Sequence, residues 1–241
     1  TLMRSSAASD VYKRQRYYCS NCSKCTSHIS INFTNLKHRG CCYYFPKFNL
    51  VDIQKMVQLP GGKNVLDKII NTDGTIIYKY HIETHGIFEE EKYQKFLQGN
   101  LELSNEELNI LISDEFHDKS LFFKSCPFVE DGVGCTIPFQ FRNPVCNFFL
   151  CHEIKNNAHD DKLIKEYENE AESFWKFYDW ENMNLTHLLH ENNLNLLKDF
   201  HKTLKFLANY EISYYDFPPL AEMDLHTCLL YTSDAADDRI S

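Results

Sequence analysis

The sequence lacks any hydrophobic run that could cross a membrane. It has 241 residues, of which 43% are hydrophobic. No stretch approaches the roughly 18 consecutive apolar residues that a transmembrane helix needs. The apolar residues are numerous enough for a buried core, and the length suits one domain or a compact pair. We therefore expect a folded protein that does not associate with membranes.

Glycine is scarce, and the glycine motifs of several enzyme classes are missing. Only 8 glycines occur in the chain. Gly61-Gly62-Lys63 lacks the first glycine and the Ser or Thr of a phosphate-binding loop, so we interpret it as a turn. The chain has neither a Gly-x-Ser-x-Gly elbow nor a glycine-rich dinucleotide turn. No motif therefore identifies a reaction.

Positive charge is also in short supply, because the formal net charge is −9. This balance argues against a broadly cationic surface for nucleic acid. One stretch differs, since 16–51 holds five basic residues and no acid: Arg16, Lys24, Lys37, Arg39 and Lys47. This end either contacts nucleic acid or offsets the charge of about −2 that four thiolates around a divalent metal would carry. We prefer the second interpretation.

The two ends read as translated sequencing adapters. Residues 5–15 are SSAASDVYKRQ, and residues 228–237 are CLLYTSDAAD. One codon choice for the first segment, reverse-complemented and shifted by one base, encodes the second. Inverted adapters at the ends of a DNA fragment have this relation, whereas two protein segments have no structural reason for it. We therefore expect 1–15 and 228–241 to be adapter artefacts and the protein to be a fragment.

Cysteine, by contrast, is abundant, and nine of the 10 cysteines lie between these flanks. They form two sets, one comprising Cys19, Cys22, Cys25, Cys41 and Cys42, and the other comprising Cys126, Cys135, Cys146 and Cys151. The C-x2-C-x2-C spacing at the start of the first set places three thiols around one tight turn, as zinc and iron–sulfur sites do. A fourth zinc ligand could be Cys41, Cys42, His28 or His38. Cys126-Pro127 could instead close a discontinuous iron–sulfur motif, so the spacing does not decide the metal.

Nine cysteines fit a disulfide framework, a metal site or redox thiols. Disulfides are typical of secreted proteins and rare in the cytosol. The odd number and the tight spacing favour metal binding and a cytoplasmic location. We therefore expect the fold to bring the two sets together around a metal ion.

The second set carries a family resemblance. The run SCPFVEDGVGCTIPFQFRNPVCNFFLC resembles the C-terminal half of the CxxCxxCC cysteine-cluster family, the YkgJ-like zinc- or iron-chelating domain. The family pattern is Cys-Pro, Gly-Cys-x-Ile-Tyr, Arg-Pro, then Cys-Arg and an aromatic residue. The matching residues are Cys126, Pro127, Gly134, Cys135, Ile137, Arg142, Pro144, Cys146 and Phe149, and Cys41-Cys42 matches the family's CC pair. The chain departs from the pattern at Pro138 and Asn143, and it has five N-terminal cysteines where the family has four.

The resemblance covers residues 19–151 and implies that the protein binds zinc or iron. A 4Fe-4S cluster is one form that the iron centre could take. The predicted ligands are Cys19, Cys22, Cys25, Cys41, Cys42, Cys126, Cys135, Cys146 and Cys151. A related cysteine-rich group includes flagellin lysine methylases, so the alternative function is an iron–sulfur-dependent enzyme such as a protein lysine methyltransferase. Beyond the metal ion, a protein partner is compatible with either function.

Hydrophobic periodicity predicts a mainly helical α+β fold, with irregular cysteine-rich segments organised around metal. We expect a metal-binding domain over 16–151 and a helical pair over 152–227 packed on it. Helices are predicted at 50–59, where Asn49 can cap the start, and at 64–70, 89–98 and 105–113. A strand is predicted at 75–82. Two apolar stripes, from Ile164 to Tyr178 and from Leu185 to Leu207, predict two antiparallel C-terminal helices.

The histidines are weaker ligand candidates. His152 follows Cys151 and is a spare ligand, whereas His81 and His85 are interpreted as solvent-facing residues at a strand end. His187 and His190 fall on the solvated face of a predicted helix.

Overall fold

The computed structural model describes residues 25, 30, 42–102, 117–151, 154–155 and 161–218. Its helices are α1 (Leu50–Gln58), α2 (Gly62–Ile70), α3 (Glu90–Leu97), α4 (Pro144–Phe148), α5 (Asp161–Glu191) and α6 (Phe200–Asn209). Its strands are β1 (Lys47–Asn49), β2 (Thr75–Ile77), β3 (His81–Thr84), β4 (Ile87–Phe88), β5 (Lys124–Ser125), β6 (Val129–Glu130) and β7 (Gly134–Cys135). Two short 3-10 helices, Lys119–Phe123 and Phe139–Phe141, complete the regular structure of the described residues. The predicted mainly helical α+β fold is confirmed.

The strands form small antiparallel sheets. The largest has the order β1-β3-β2, and its register pairs Phe48 with Ile82. β4 pairs with β5, and β6 pairs with β7, each over two residues. These last two pairings hold the segments that carry Cys126 and Cys135. None of the helices among the described residues has both the length and the apolar character needed to cross a membrane.

Helix α1 is the centre of the molecule, because every residue from Leu50 to Val57 is buried. It packs against α2, α5, α6 and β1, so its polar residues Asp52, Gln54 and Lys55 are buried along with its apolar ones. Asn49 is its N-cap, as predicted, and the Asp52 carboxylate accepts a hydrogen bond from the Asn49 backbone N–H at 3.0 Å. This reciprocal cap satisfies a donor that a helix start otherwise leaves unpaired.

The turn between α1 and α2 requires glycine. Gly61 has a φ of 79°, which side chains with a Cβ rarely adopt. A Cβ at Gly62 would lie 2.3 Å from the Met56 carbonyl oxygen. The Gly61-Gly62 pair is therefore a tight structural turn, in agreement with its interpretation from sequence.

The predicted strand at 75–82 is wrong in its extent. The chain instead forms the hairpin β2–β3, in which Tyr78 N donates to His81 O at 2.9 Å. Ile82 is fully buried, but Ile76 is 45% exposed. The alternation of apolar residues continues through the turn at 78–80, which contains no glycine, proline or asparagine to mark it. A tertiary contact stabilises the turn, since Leu196 N donates to Lys79 O at 3.0 Å.

The C-terminal helices begin and end at different residues from those predicted. Helix α5 has 31 residues and includes Leu185 and Leu189, which the apolar pattern assigned to the second helix. No glycine or proline interrupts 162–191, so the helix continues until Asn193, where φ becomes 54°. Helix α6 follows and packs on α1, where Gln58 Nε2 donates to the carbonyls of Leu207 and Tyr210 at the end of α6.

The remaining predicted helices differ little from the structure. α1, α2 and α3 lie within two residues of their predicted bounds. The predicted helix at 105–113 lies outside the described residues. One core cluster includes buried residues from Phe48 to Phe141 together with Phe174, Tyr178, Leu185, Leu189 and Leu207.

Candidate metal centre

The structure brings one cysteine of the first set next to the second set. Cys42 precedes β1, whereas Cys126 directly follows β5. Their thiols are hydrogen-bonded to each other, and Cys126 is buried with 4% of its surface exposed. The two sets therefore meet through these two residues, as the sequence predicts.

Two further thiols lie within electrostatic range of this pair. Cys135 is at the end of β7, and Cys146 lies within α4, both half-buried. The Cys135 and Cys146 thiols interact electrostatically with Cys42, and Cys146 also interacts with Cys126 and Cys135. We call these four residues the thiol cluster: Cys42, Cys126, Cys135 and Cys146.

The other predicted ligands are not members of the thiol cluster. Cys151 packs against a separate apolar cluster that includes Leu150, Ile164 and Tyr167. Cys25 is a half-buried thiol. Cys19, Cys22 and Cys41 lie outside the described residues, as do His28, His38 and His152. All six described cysteines are reduced thiols rather than cystines.

The environment of the thiol cluster disfavours ionisation of Cys126, Cys135 and Cys146. The hydrogen bond with Cys42, followed by burial, raises the pKa of Cys126 far above its usual range. Burial is the main reason that the pKa values of Cys135 and Cys146 are also raised. Because metals bind thiolates, an ion entering this cluster would displace the protons of its ligands.

Two cations partly oppose this effect. The positive charges of Arg142 and Lys68 lower the pKa of Cys135, and that of Arg142 also lowers the pKa of Cys146. Lys68 is held in place by a hydrogen bond from its Nζ to Thr136 Oγ1 at 2.7 Å. The sequence suggested that the basic stretch 16–51 would supply such charge. Its described member Lys47 instead pairs with Glu83 at 3.8 Å.

The donor atoms suit zinc or iron, but their arrangement is not that of a closed site. Four neighbouring thiols match the soft ligands that both metals prefer. Within the ranges that the structure describes, however, no group of three or more His, Cys, Asp or Glu side chains is placed so that it could hold a metal ion. The thiol cluster therefore has donor atoms that suit a metal ion, but it does not have the geometry of a metal site.

A buried polar network joins the thiol cluster to the helical core. Asn143 is the N-cap of α4, and its Nδ2 donates to Lys47 O in β1 at 2.5 Å. Asp52 accepts from Tyr178 Oη at 2.5 Å and is also hydrogen-bonded to Asn143. The network therefore links α1, α4 and α5 through side chains that are each buried.

Sequence reasoning did not identify this network or the placement of Arg142. Two signals were present, since Asp52 lies three residues after the N-cap Asn49 and Asn143 precedes the proline that begins α4. Tyr178 gave no such signal, because it belongs to the apolar stripe and the pattern does not show what its hydroxyl group contacts. Only the packing of α5 on α1 brings that hydroxyl to Asp52.

The histidines predicted to be solvent-facing are placed near carboxylates. His81 Nε2 and His85 Nε2 lie 3.1 and 3.7 Å from the two carboxylate oxygens of Glu83. His187 Nδ1 lies 3.6 Å from Glu191 and its side chain is 71% exposed. These positions agree with surface roles for His85 and His187, whereas His81 is half-buried beneath the stacked ring of Tyr78.

Comparison with known proteins identifies no relative: no family model, curated protein or solved structure matches this chain.

Proposed function

We propose that this chain is a metal-binding cysteine-cluster protein in which Cys42, Cys126, Cys135 and Cys146 supply thiolates to one zinc or iron centre. The observation that carries the proposal is the hydrogen bond between the Cys42 and Cys126 thiols, because it joins two cysteine sets far apart in the sequence. Core packing alone does not require four thiols to be neighbours. The raised pKa values of Cys126, Cys135 and Cys146 also mean that a bound cation would favour their ionisation at neutral pH.

The metal would stabilise the folded structure. The four thiols come from two irregular segments, one two-residue strand and a five-residue helix, none of which is stable in isolation. A bound ion would cross-link these segments, and structural zinc contributes about 10–16 kcal/mol of apparent binding free energy in small domains. This exceeds the net stability of most domains, which is about 5–15 kcal/mol. We therefore expect the protein to need its metal for stable folding.

Elemental analysis and thermal melts of the anaerobically purified chain test this proposal. We expect bound zinc or iron, a lower melting temperature after treatment with a strong chelator, and loss of metal in Cys126→Ser. Cys228→Ser is the matched control, because Cys228 belongs to the predicted adapter segment and should leave metal content unchanged. A metal-free sample whose melt is unaffected by chelator would refute the proposal.

The same preparation separates zinc from an iron–sulfur cluster. Zinc has a filled d shell and gives a colourless protein. A brown protein containing iron and acid-labile sulfide would instead favour the alternative, an iron–sulfur-dependent enzyme of the methyltransferase kind.

A further inference from the structure

Arg142 occupies a position that packing does not explain. Its Nε donates to Ile137 O at 2.7 Å, and its Nη2 donates to Cys135 O at 3.3 Å. The Cys135 thiol lies 3.8 Å from the same Ile137 oxygen. The guanidinium therefore spans the backbone on either side of Thr136, immediately beside one thiol of the cluster.

The charge of the same residue also acts on a second thiol. Arg142 lies between the 3-10 helix Phe139–Phe141 and the N-cap of α4, and its charge acts on Cys146 as well as on Cys135. Its own carbonyl accepts from Asn147 Nδ2 at 3.3 Å, which fixes the backbone at the start of α4. The fork geometry of a guanidinium allows these two directed hydrogen bonds while the positive charge remains next to the sulfurs.

The position of Arg142 suits it to balance negative charge at the thiol cluster. Four thiolates around a divalent ion carry a net charge of about −2, and burying that charge without a counter-charge is unfavourable. No carboxylate is within 4.0 Å of Arg142 as an ion-pair partner among the described residues, so its charge is available to the cluster. Lys68, which is hydrogen-bonded to Thr136 next to Cys135 in the sequence, is a second cation.

We propose that Arg142 is a positioning residue of the metal centre: its two hydrogen bonds hold the Cys135 backbone, and its charge stabilises the thiolates of Cys135 and Cys146. This inference rests on the proposed function, because it assigns Arg142 a role only when a metal is bound. It adds Arg142 to the basic residues of 16–51 as a source of balancing charge; of those residues only Lys47 lies within the described part of the chain.

Competition for zinc between the full chain and a chromophoric chelator tests the role of Arg142. Arg142→Gln keeps a hydrogen-bond donor but removes the charge, whereas Arg142→Lys keeps the charge. We expect Arg142→Gln to bind zinc roughly 10–100-fold more weakly than the wild type, the usual loss when an outer partner of a metal ligand is removed. Arg142→Lys should recover part of this loss. Lys176→Met is the control, because it removes a positive charge from an exposed position that pairs with Glu172 on α5.

The outcomes separate the inference from the proposed function. Wild-type protein that does not compete for zinc or iron would refute the metal centre itself. If the wild type binds metal and Arg142→Gln binds equally tightly, or if Arg142→Lys is no better than Arg142→Gln, the role of Arg142 is overturned while the metal centre stands. Circular dichroism of each metal-loaded variant identifies any that fails to fold. Should Arg142→Gln fail to fold, Arg142→Met serves as the second variant that removes the charge, and zinc affinity equal to the wild type in Arg142→Met would overturn the inference.

Discussion

Asp52 shows how one residue of α1 links pH to stability. Its carboxyl group is buried, and burial raises the pKa of Asp52 to about 6. The charge of Lys55 and hydrogen bonds from Tyr178, Asn49 and Asn143 oppose that rise without cancelling it. Because the folded pKa exceeds the ordinary value of 3.8, the folded state holds this proton more tightly than the unfolded state does.

The sign of the pH effect follows directly. The stabilisation from protonating Asp52 is fully present below pH 3.8 and is lost as the pH rises through about 6. The shift corresponds to roughly 3 kcal/mol at 1.36 kcal/mol per pKa unit. Asp52→Asn cannot titrate, so the wild type should gain up to this amount relative to the variant as the pH falls from about 7 to about 4.

Urea unfolding of the wild type and Asp52→Asn across this pH range measures the difference. Comparing the two proteins cancels other titrating groups, including His81, whose pKa burial lowers. Parallel stability curves for the two proteins would show that Asp52 does not carry the pH dependence.

At the scale of the elements, the short strands β4 and β5 position the second cysteine set. β5 ends at Ser125, so its pairing with β4 determines the position of the next residue, Cys126. Gly86 allows this close approach, since a Cβ at that position would lie 2.1 Å from Ser125 O and 2.9 Å from Pro127 Cδ. The backbone φ at Gly86 is not in the left-handed region, so any cost of alanine there is steric.

We expect Gly86→Ala to lower the free energy of unfolding by about 1–3 kcal/mol, the range typical of overpacking, and to weaken metal binding at Cys126. Gly99→Ala is the control, because its Cβ would meet nothing within 4 Å and only its φ of 71° resists alanine. Urea denaturation gives the stabilities. A loss in Gly86→Ala no larger than that in Gly99→Ala would contradict the steric explanation.

At the scale of the whole molecule, the cysteine-bearing region and the C-terminal helices share one core. Leu189 of α5 is fully buried in the same cluster as Phe48, Cys126 and Phe141. A shared apolar core makes unfolding cooperative, because neither side can open without exposing the surface of the other.

Leu189→Ala should therefore destabilise both regions together, by about 2–5 kcal/mol. The fluorescence of Trp175 and Trp180 reports on α5, and reaction of Cys126 with a thiol reagent reports on the thiol cluster. We expect the two urea midpoints to shift by the same amount. Leu197→Ala, at a position 60% exposed, should shift neither, and separate midpoints in Leu189→Ala would indicate two independent units.

The sequence by itself determined the features that depend on local spacing. Apolar periodicity identified α1, α2 and α3 to within two residues, and the N-cap Asn49 was recognised from its position before α1. The grouping of cysteines also predicted that the two sets come together, but not which members meet. Each of these predictions rests either on residues that are close together in the sequence or on cysteine, a residue type with few chemical roles.

Only the tertiary structure decided the features that depend on distant partners. Leu196 holds the turn that divides the predicted strand at 75–82, and the packing of α5 places the Tyr178 hydroxyl on Asp52. Arg142 likewise donates to the carbonyls of Ile137 and Cys135 because the chain folds back between β7 and α4. A hydrogen bond between residues far apart in sequence leaves no periodic signal in the sequence. Each partner alone could have many roles, and the packing of the core determines which role it has.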